Sequence, residues 1–332
     1  MKVTVFGSGS IGLRHLNNLI KLKKELNINS IYSFDTKNKI NFLGESKKFI
    51  FTQNIKEAAM NCDVAFICVP THLHNQTINK ILKYTKCHFY IEKPLSSEIK
   101  GCFDTLKKIK HIKKKVAVGY MLVNHPLIRE VQSLIKKGTI GKIIFARAEC
   151  GFYLPNWHPW EDYRKFYMAY KNQGGGVLLD TSHEINYLQR LFGKVKNING
   201  IVGKFSNLEI TSDDLALSIL NFKKNNIIAH VHLDLLQFNK SRSFKIIGTK
   251  GVIEGSFTTN KLKIFSNTKK KIIEKKYTYN FNNIYYTQLR QFWSLIKNKK
   301  NNLCTGEEAY HTMQIIEGIR KSSKLGSKIK IK

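Results

Sequence analysis

The residue whose position most favours chemistry is Lys93, which ends an apolar run and precedes a proline. It lies in the segment Tyr90-Ile91-Glu92-Lys93-Pro94. In a doubly wound α/β sheet, ligands bind outside the carboxyl ends of the strands, so a strand that ends here would deliver an ammonium group to a ligand crevice. The proline would fix the backbone beside it. We therefore predict that Lys93 is catalytic.

A second pair of candidates is an acid and an imidazole three positions apart. Asp180 and His183 follow a run of glycines at residues 174–176, and the apolar pattern that begins at Val177 is helical. Residues three apart on a helix share one face. An imidazole beside a carboxylate in a cleft is suited to general acid/base catalysis, so we predict that both residues are catalytic.

A glycine-rich turn follows the first apolar strand of the chain and opens a helical pattern. It reads Gly7-Ser8-Gly9-Ser10-Ile11-Gly12. In the dinucleotide fingerprint the first glycine allows the tight turn, the second lets the backbone approach a pyrophosphate, and the third lets helix and strand pack closely. The helix N-terminus then receives the negative charge. We predict cofactor contacts at Gly7, Gly9, Ser10, Ile11 and Gly12.

Asp35 ends the next strand pattern, at about the 20-residue distance that the fingerprint requires. Its carboxylate would accept hydrogen bonds from ribose hydroxyls and repel a 2′-phosphate, so the predicted cofactor is NAD. Lys37 leaves NADP open as an alternative, since a lysine there could pair with that phosphate. The structural alternative for Asp35 is a turn residue.

The strand pattern at residues 64–69 is apolar on both faces, as in a central parallel strand. It ends in a polar segment that would reach the same crevice, although a histidine there is more often a cap or a surface residue. The cofactor contacts predicted at these strand ends are Pro70, Thr71, His74, Glu92 and Lys93.

These side chains require two domains to position them. Residues 1–120 alternate strand and helix patterns and predict a Rossmann-type α/β domain with a doubly wound parallel sheet. From residue 121 to residue 332, strand patterns and turn signals dominate. We predict an α+β substrate domain there, with a large, open, mostly antiparallel sheet.

Composition limits the class of protein. The chain has 332 residues, 42% hydrophobic and 11% aromatic, which excludes wholesale disorder and allows two real cores. The net charge of +33 raises nucleic acid as a partner. The basic residues are scattered, however, without a helix-turn-helix or a basic aromatic platform, so we expect neither nucleic acid nor a membrane. The scattered pattern suits a coding bias toward Lys, Asn and Ile. Attraction of anionic small substrates, such as nucleotide sugars or phosphorylated sugars, is the second and weaker interpretation.

The six cysteines show no Cys-x-x-Cys pair and no zinc-type spacing. We expect buried free thiols in a reducing cytosol and no metal site. Arg14 and His15 interrupt any signal-peptide core, and no stretch approaches a membrane span. The expected location is therefore the cytoplasm.

Taken together, these motifs resemble the Gfo/Idh/MocA oxidoreductase family, of the glucose–fructose oxidoreductase and inositol dehydrogenase type, over almost the entire chain. The resemblance rests on the glycine turn, Glu92-Lys93-Pro94, the Gly119-Tyr120 junction, the segment that ends in Asp180-x-x-His183, and a last helix. It implies that this helix, at about residues 306–322, packs back on the first domain. It also implies a homodimer or homotetramer, to which the expected open sheet face points as well.

The activity implied is hydride transfer between NAD(P) and a secondary alcohol or ketone carbon of a sugar, polyol or nucleotide sugar. In similar enzymes the lysine contacts substrate and nicotinamide ribose, its peptide bond to proline is often cis, and the histidine is the acid/base. Lys93 would polarise the reacting oxygen, His183 would exchange its proton, and Asp180 would orient either partner. Lys93 as the base stays open, as does a catalytically silent dinucleotide-binding regulator of the same fold.

The loop that contains Trp157, Tyr163 and Arg164 resembles one in members from surface-polysaccharide and nucleotide-sugar gene clusters. The two aromatic rings would stack on a sugar or base, and the arginine would hold a phosphate or carboxylate. The alternative is a hydrophobic loop docked on a neighbouring subunit. Asn124 is also assigned to the substrate site. Many relatives carry an Arg-Phe pair before His-Pro, whereas this chain reads Met121-Leu122-Val123-Asn124-His125-Pro126, so no specific substrate is carried over from them.

Overall fold

The computed structural model describes residues 1–36, 48–267 and 271–331. The chain divides into two compact units, which we call the first and the second unit. The first contains Met1–Met121 and Phe281–Tyr310, and the second contains Leu122–Asn280 and His311–Lys332. The first boundary falls next to the expected one, whereas residues 281–310 had been expected in the second domain.

The first unit is built on a parallel sheet, which confirms the predicted Rossmann-type fold. The strand order is β15-β6-β5-β4-β1-β2-β3, and only β15 among these strands runs antiparallel to its neighbour. The strands are β1 (Lys2–Phe6), β2 (Ser30–Phe34), β3 (Ile50–Thr52), β4 (Val64–Ile67), β5 (His88–Ile91), β6 (Val116–Val118) and β15 (Cys304–Thr305). The helices are α1 (Ser10–Lys21), α2 (Ile55–Met60), α3 (His74–Ile81), α4 (Cys102–His111) and α8 (Phe281–Ile296).

Helix α8 explains why the first unit takes a segment from late in the sequence. Its side chains Leu289, Phe292 and Trp293 are buried in the core that also holds the β4 and β5 side chains Phe66 and Tyr90. The ring of Phe292 lies 5.5 Å from that of Tyr90 and 6.1 Å from that of Phe66. The apolar face of α8 therefore covers the parallel sheet, a partnership that local patterns do not encode.

The second unit contains a nine-stranded sheet of order β14-β13-β12-β11-β7-β10-β9-β8-β16. Its neighbours are antiparallel except for β7 and β10, which confirms the predicted mostly antiparallel sheet. The strands are β7 (Ile143–Gly151), β8 (Val195–Gly203), β9 (Leu215–Phe222), β10 (Ile228–Asp234), β11 (Ser241–Gly248), β12 (Gly251–Ser256), β13 (Lys261–Ser266), β14 (Lys271–Lys276) and β16 (Ile329–Lys330). The helices are α5 (Pro126–Lys136), α6 (Val177–Asp180) and α7 (His183–Phe192).

The two faces of this sheet differ in what covers them. On one face, small and aliphatic side chains such as Ala148, Val231 and Leu220 are buried, and α6 and α7 contact the strands. Strand register places a row of exposed apolar side chains on the other face. These are Ile201, Ile219, Ile228, Phe265 and Ile272.

The last helix, α9 (Gly306–Leu325), belongs partly to each unit. A Cβ at Gly306 would lie 2.8 Å from the Leu106 side chain, and Tyr310 contacts the Phe103 ring, both within the first unit. From His311 onward the helix belongs to the second unit, where Gly318 lies against Ile198. Residues 306–310 of the helix therefore belong to the first unit and the rest to the second.

All six cysteines are buried free thiols, as their spacing predicted. Over the described ranges, no helix is both long and apolar enough to cross a bilayer. The same residues contain no group of three His, Cys, Asp or Glu side chains placed to hold a metal ion.

Candidate functional site

The glycine turn of the first unit has the shape that a dinucleotide requires. Gly7 has a φ of +100°, and a Cβ there would lie 2.6 Å from the backbone of Cys68 and Val69. A Cβ at Gly12 would lie 1.9 Å from the Gly7 carbonyl oxygen, so neither position accepts a side chain. Gly9, by contrast, has no heavy atom within 4 Å of its Cβ position. The open side of the turn is therefore where a pyrophosphate would approach.

Asp35 lies beside this turn, directly after β2. Its Oδ2 accepts hydrogen bonds from the Ser8 backbone N–H at 2.8 Å and from the Ser8 hydroxyl at 2.6 Å. The carboxylate is thus held at the end of the second strand, where the fingerprint places the ribose hydroxyls. The residues present fit a dinucleotide. Lys37, the alternative phosphate partner, lies outside the described residues.

Glu92, at the end of β5, is buried and paired with His15 of α1. The Nε2 of His15 lies 2.6 Å from Oε1 of Glu92, and the two residues are 0% and 8% exposed. The second oxygen of Glu92 accepts the Lys93 backbone N–H at 3.3 Å. A Cβ at Gly119 would lie 2.9 Å from both carboxylate oxygens, which explains the glycine at that position.

His15 is a residue whose role the sequence interpretation missed. Its ring is surrounded by the rings of Phe66, Tyr90 and Tyr285 at 5.2–5.8 Å. It shares the buried face of α1 with Leu16 and Leu19. The sequence did carry a signal for this role, because His15 is a polar residue on the otherwise apolar face of the helix that follows the glycine turn.

Lys93 stands at the carboxyl end of β5 and is partly exposed, and its peptide bond to Pro94 is cis, as the resemblance implied. The neighbouring His74 is 1% exposed, with its ring nitrogens 3.1 Å from the Pro94 carbonyl oxygen and 3.0 Å from that of Val69. Burial lowers the pKa of His74. Its contacts are with the turns after β4 and β5, so His74 positions Pro94 in addition to any contact with cofactor.

The two remaining residues at the end of β4 differ in exposure. Pro70 is exposed, whereas Thr71 is buried at the start of a short 3₁₀ turn that precedes α3. Both stand beside the strand that is the immediate neighbour of β1 in the sheet. Their predicted cofactor contacts are compatible with these positions.

In the second unit, Asp180 and His183 lie on two short helices instead of the one that was predicted. Asp180 ends α6 and His183 begins α7. The hydroxyl of Thr181 bonds to the Val177 carbonyl oxygen, and that of Ser182 bonds to the Leu179 carbonyl oxygen. Because these hydroxyls compete for helix carbonyls, the helix breaks between the acid and the imidazole.

A tyrosine holds the Asp180 side chain, and a second acid caps the short helix that ends at Asp180. The Tyr167 hydroxyl donates a hydrogen bond to its Oδ1, a contact that the sequence interpretation missed. At the start of α6, the Asp213 carboxylate accepts the Leu178 backbone N–H at 2.8 Å, and burial raises the pKa of Asp213. Gly176 has a φ of +102°, and a Cβ there would lie 2.4 Å from Asp213 Oδ1. The last glycine of the run is therefore required by the cap of α6.

The predicted substrate loop holds its charged residue in an unexpected way. The Arg164 guanidinium bonds Asp162 at 2.9 Å and Glu209 at 3.1 Å. A substrate anion would have to compete with both carboxylates, which disfavours the predicted grip. The Tyr163 hydroxyl accepts the Glu209 backbone N–H at 3.3 Å.

The other two predicted substrate residues are also partly covered. The ring of Trp157 lies 4.4 Å from the Phe152 ring and 4.5 Å from the Lys240 ammonium. Asn124, in the second unit, is 5% exposed and ends a 3₁₀ turn before α5. Neither side chain presents the wide open surface that stacking or direct recognition would favour.

A group of charges surrounds the buried thiol of Cys150 at the end of β7. Arg242 bonds Glu184 at 2.9 and 3.0 Å, and Glu184 is completely buried. Burial raises the pKa of Cys150 to about 12, while Arg242 and Lys240 lower it and Glu184 and Asp180 raise it. Asp180, Arg242 and Lys240 therefore all act on the same thiol. The sequence had not indicated a functional role for Arg242 or Lys240.

Two family models match the chain. Residues 1–120 match the Gfo/Idh/MocA model described as an oxidoreductase family with an NAD-binding Rossmann fold. Residues 132–331 match the C-terminal alpha/beta domain of the same family. These matches cover nearly the whole chain, and they confirm the resemblance read from the motifs and the prediction of an NAD-binding fold.

Comparison with known proteins gives three informative similarities. The 2,7-anhydro-N-acetylneuraminate hydratase of Escherichia coli is 26% identical over 216 residues, which cover 62% of this chain and 55% of that protein. The chain thus spans about half the length of this curated relative. Levoglucosan dehydrogenase, in complex with NADH and levoglucosan, has a TM-score of 0.86 and 16% identity over 99% of this chain and 98% of that chain.

The third is the WlbA dehydrogenase of Bordetella pertussis in complex with NADH and UDP-GlcNAcA. Its TM-score is 0.82 at 15% identity, over 100% of this chain and 99% of that chain. At these identities the structural likeness establishes the fold alone.

Replacing His15 with Ala should lower the free energy of unfolding by about 3–5 kcal/mol, because Glu92 would stay buried without its partner. Urea unfolding followed by circular dichroism measures this loss. The matched control is His72→Ala, since His72 is exposed; it should change stability by less than about 0.5 kcal/mol. Equal effects of the two substitutions would contradict the role assigned to the pair.

Proposed function

Since the chain belongs to the Gfo/Idh/MocA oxidoreductase family, we propose that it transfers a hydride between NAD and a secondary alcohol or ketone carbon of a sugar, polyol or nucleotide sugar. One observation carries the proposal. The strand order reverses between β1 and β4, and ligands bind at such a switch point. The glycine turn follows β1, and Lys93 follows β5, the next strand beyond β4.

In this proposal the first unit holds the cofactor. The glycine turn binds the pyrophosphate at the N-terminus of α1, through Gly7, Gly9, Ser10, Ile11 and Gly12. Asp35, anchored by Ser8, accepts hydrogen bonds from the adenosine ribose. Bound NAD supplies the hydride acceptor or donor.

The chain's own residues handle the proton and the charge. An alcohol loses hydride from carbon only as its hydroxyl proton leaves, so a base and a cation are both needed at the reacting oxygen. We assign His183 as the proton acceptor and Lys93 as the cation that steadies the developing alkoxide. Asp180, fixed by the Tyr167 hydroxyl, orients the imidazole or the substrate.

The similar proteins support a sugar as substrate. One similar structure holds levoglucosan and another holds UDP-GlcNAcA, a nucleotide sugar. The resemblance of the loop that contains Trp157 favours nucleotide sugars among these candidates. The silent regulator is the alternative, and the presence of Lys93, Asp180 and His183 together argues against it.

Replacing Lys93 with Met should leave the affinity for NADH within about threefold, because the glycine turn and Asp35 would still bind the pyrophosphate and the adenosine ribose. Turnover should fall about 10²–10³-fold, the usual cost of losing one group that stabilises developing charge.

NADH fluorescence titration measures binding. NADH formation with D-glucose, myo-inositol, D-glucuronate and UDP-N-acetylglucosamine measures turnover. Lys100→Met, at an exposed lysine, is the control. A wild-type protein that binds NADH but oxidises or reduces none of these compounds would favour the regulator.

Replacing Asp35 with Ala should weaken NADH binding about tenfold or more, because hydrogen bonds to a charged group are lost. The affinity for NADPH should fall less, so the preference for NADH shrinks. Ser8→Ala removes the hydroxyl that holds Asp35 but keeps the carboxylate, so it distinguishes the anchoring of Asp35 from its contact with the ribose. Asp104→Ala, at an exposed acid, is the control. Tighter binding of NADPH than of NADH by the wild-type protein would overturn the role of Asp35.

We also propose that a second copy of the chain covers the exposed sheet face of the second unit. Its five apolar side chains are 42–65% exposed, and such patches usually mark an interface. The same face carries a self-complementary mixture of charges, with Lys245 paired to Glu254 at 2.6 Å and Lys263 to Glu274 at 3.5 Å.

Replacing Ile219 with Glu should convert the oligomer to a monomer, because it places a charge between the exposed Ile201 and Ile228 on this face. Light scattering coupled to size exclusion reports the mass. Met60→Glu is the control, since Met60 is 62% exposed but lies on α2 of the first unit. A monomeric wild-type protein would contradict the interface.

A further inference from the structure

Lys240 immediately precedes β11 and is held against an aromatic ring. Its Nζ lies 4.5 Å from the centroid of the Trp157 ring, which in turn packs on Phe152 at 4.4 Å. A cation over an indole face is attracted by the ring's electrons. This contact fixes the position of the ammonium while the side chain remains exposed to solvent.

The nearby guanidinium groups already have carboxylate partners. Arg242 forms a bidentate salt bridge with Glu184, and Arg164 forms salt bridges with Asp162 and Glu209. For Lys240, no carboxylate within the described ranges lies at ion-pair distance. Its contact is with the Trp157 ring instead.

The ammonium of Lys240 is partly desolvated, although the side chain as a whole is exposed. Partial burial is the main cause that lowers its pKa, and the positive charge of Arg242 lowers it further. A negatively charged group placed beside the ammonium would relieve both effects, since an opposite charge favours the protonated lysine. The position is therefore suited to receive an anion from solution.

Lys240 also lies near a proposed catalytic residue of the same unit. Lys240 and Asp180 both act electrostatically on the Cys150 thiol, with opposite signs. Strand pairing supports this position for Lys240, because the next two residues, Ser241 and Arg242, are paired with Gly151 and Cys150 across β11 and β7. Electrostatic effects fall off with distance, which indicates that Asp180 also lies near this buried sulfur. A ligand contacted by Asp180 could therefore extend to the ammonium.

We propose that Lys240 is the subsite for an anionic group of the substrate, a carboxylate or a phosphate. The proposal rests on the proposed function and narrows its substrate class to acidic sugars, sugar phosphates or nucleotide sugars. A lysine ammonium supplies three donors and a compact charge, which suits either group. It gives the role predicted for Arg164 to a cation with no competing carboxylate.

The test compares matched acidic and neutral ligands. Isothermal titration of the full chain, with and without NADH, would use D-glucuronate, glucose 6-phosphate and UDP-glucose, each compared with D-glucose. We expect the wild-type protein to bind at least one acidic ligand more tightly than D-glucose. Lys240→Met keeps the apolar contact with Trp157. It should lower the affinity for that acidic ligand about tenfold or more and leave the affinity for D-glucose within about twofold of the wild-type value.

Two further variants separate a subsite from a general effect of charge. Lys240→Arg should keep most of the preference for the acidic ligand. Lys245→Met, on the same strand, removes the same charge at a side chain paired with Glu254 and should leave the affinities for the acidic ligand and for D-glucose unchanged. Equal weakening by Lys245→Met and Lys240→Met would overturn the proposal, as would a wild-type protein without any acidic preference. Because the titration requires no hydride transfer, its outcome is separate from that of the Lys93 experiment.

Discussion

The buried contact between His15 and Glu92 is the constraint on which the first unit depends. A carboxylate in the interior needs a partner, and here the partner comes from the helix that the glycine turn begins. The same carboxylate accepts the Lys93 backbone N–H and leaves no room for a side chain at Gly119. The turn, the end of β5 and the end of β6 are thereby fixed by one side chain. The backbone of Lys93 is therefore held by the side chain of the preceding residue, Glu92.

The second unit fixes its candidate residues by several independent contacts instead of one. Asp213 caps α6, the Tyr167 hydroxyl holds Asp180, and the Arg242 guanidinium anchors α7 through the buried Glu184. The break between the two helices lets Asp180 and His183 be positioned separately. A single continuous helix would have tied the direction of one side chain to that of the other.

Local patterns predicted much of the fold, because parallel strands, the glycine turn and antiparallel strands each have a short-range signal. Asp35, directly after β2, and Lys93, at the end of β5, lie where that signal placed them. The residues that the patterns missed are linked over long separations: His15 and Glu92 are 77 residues apart, and Glu184 and Arg242 are 58 apart. For Arg164 the residue type suggested an anion site, but Glu209, 45 residues later, lies at its side. Pairings of this kind are decided by the tertiary fold.

The membership of α8 in the first unit has a consequence for synthesis of the chain. When residue 121 leaves the ribosome, the strands of the parallel sheet up to β6 have been made, but the apolar side chains that cover Phe66 and Tyr90 have not. The gap from residue 121 to the end of α8 at residue 296 takes roughly 10–35 s at ordinary elongation rates. During that time the nascent first unit exposes an apolar surface while strands β7 to β14 of the second unit are being translated. Until α8 is made, that apolar surface can pair with the wrong strands, so the order of the elements in the sequence delays completion of the first core.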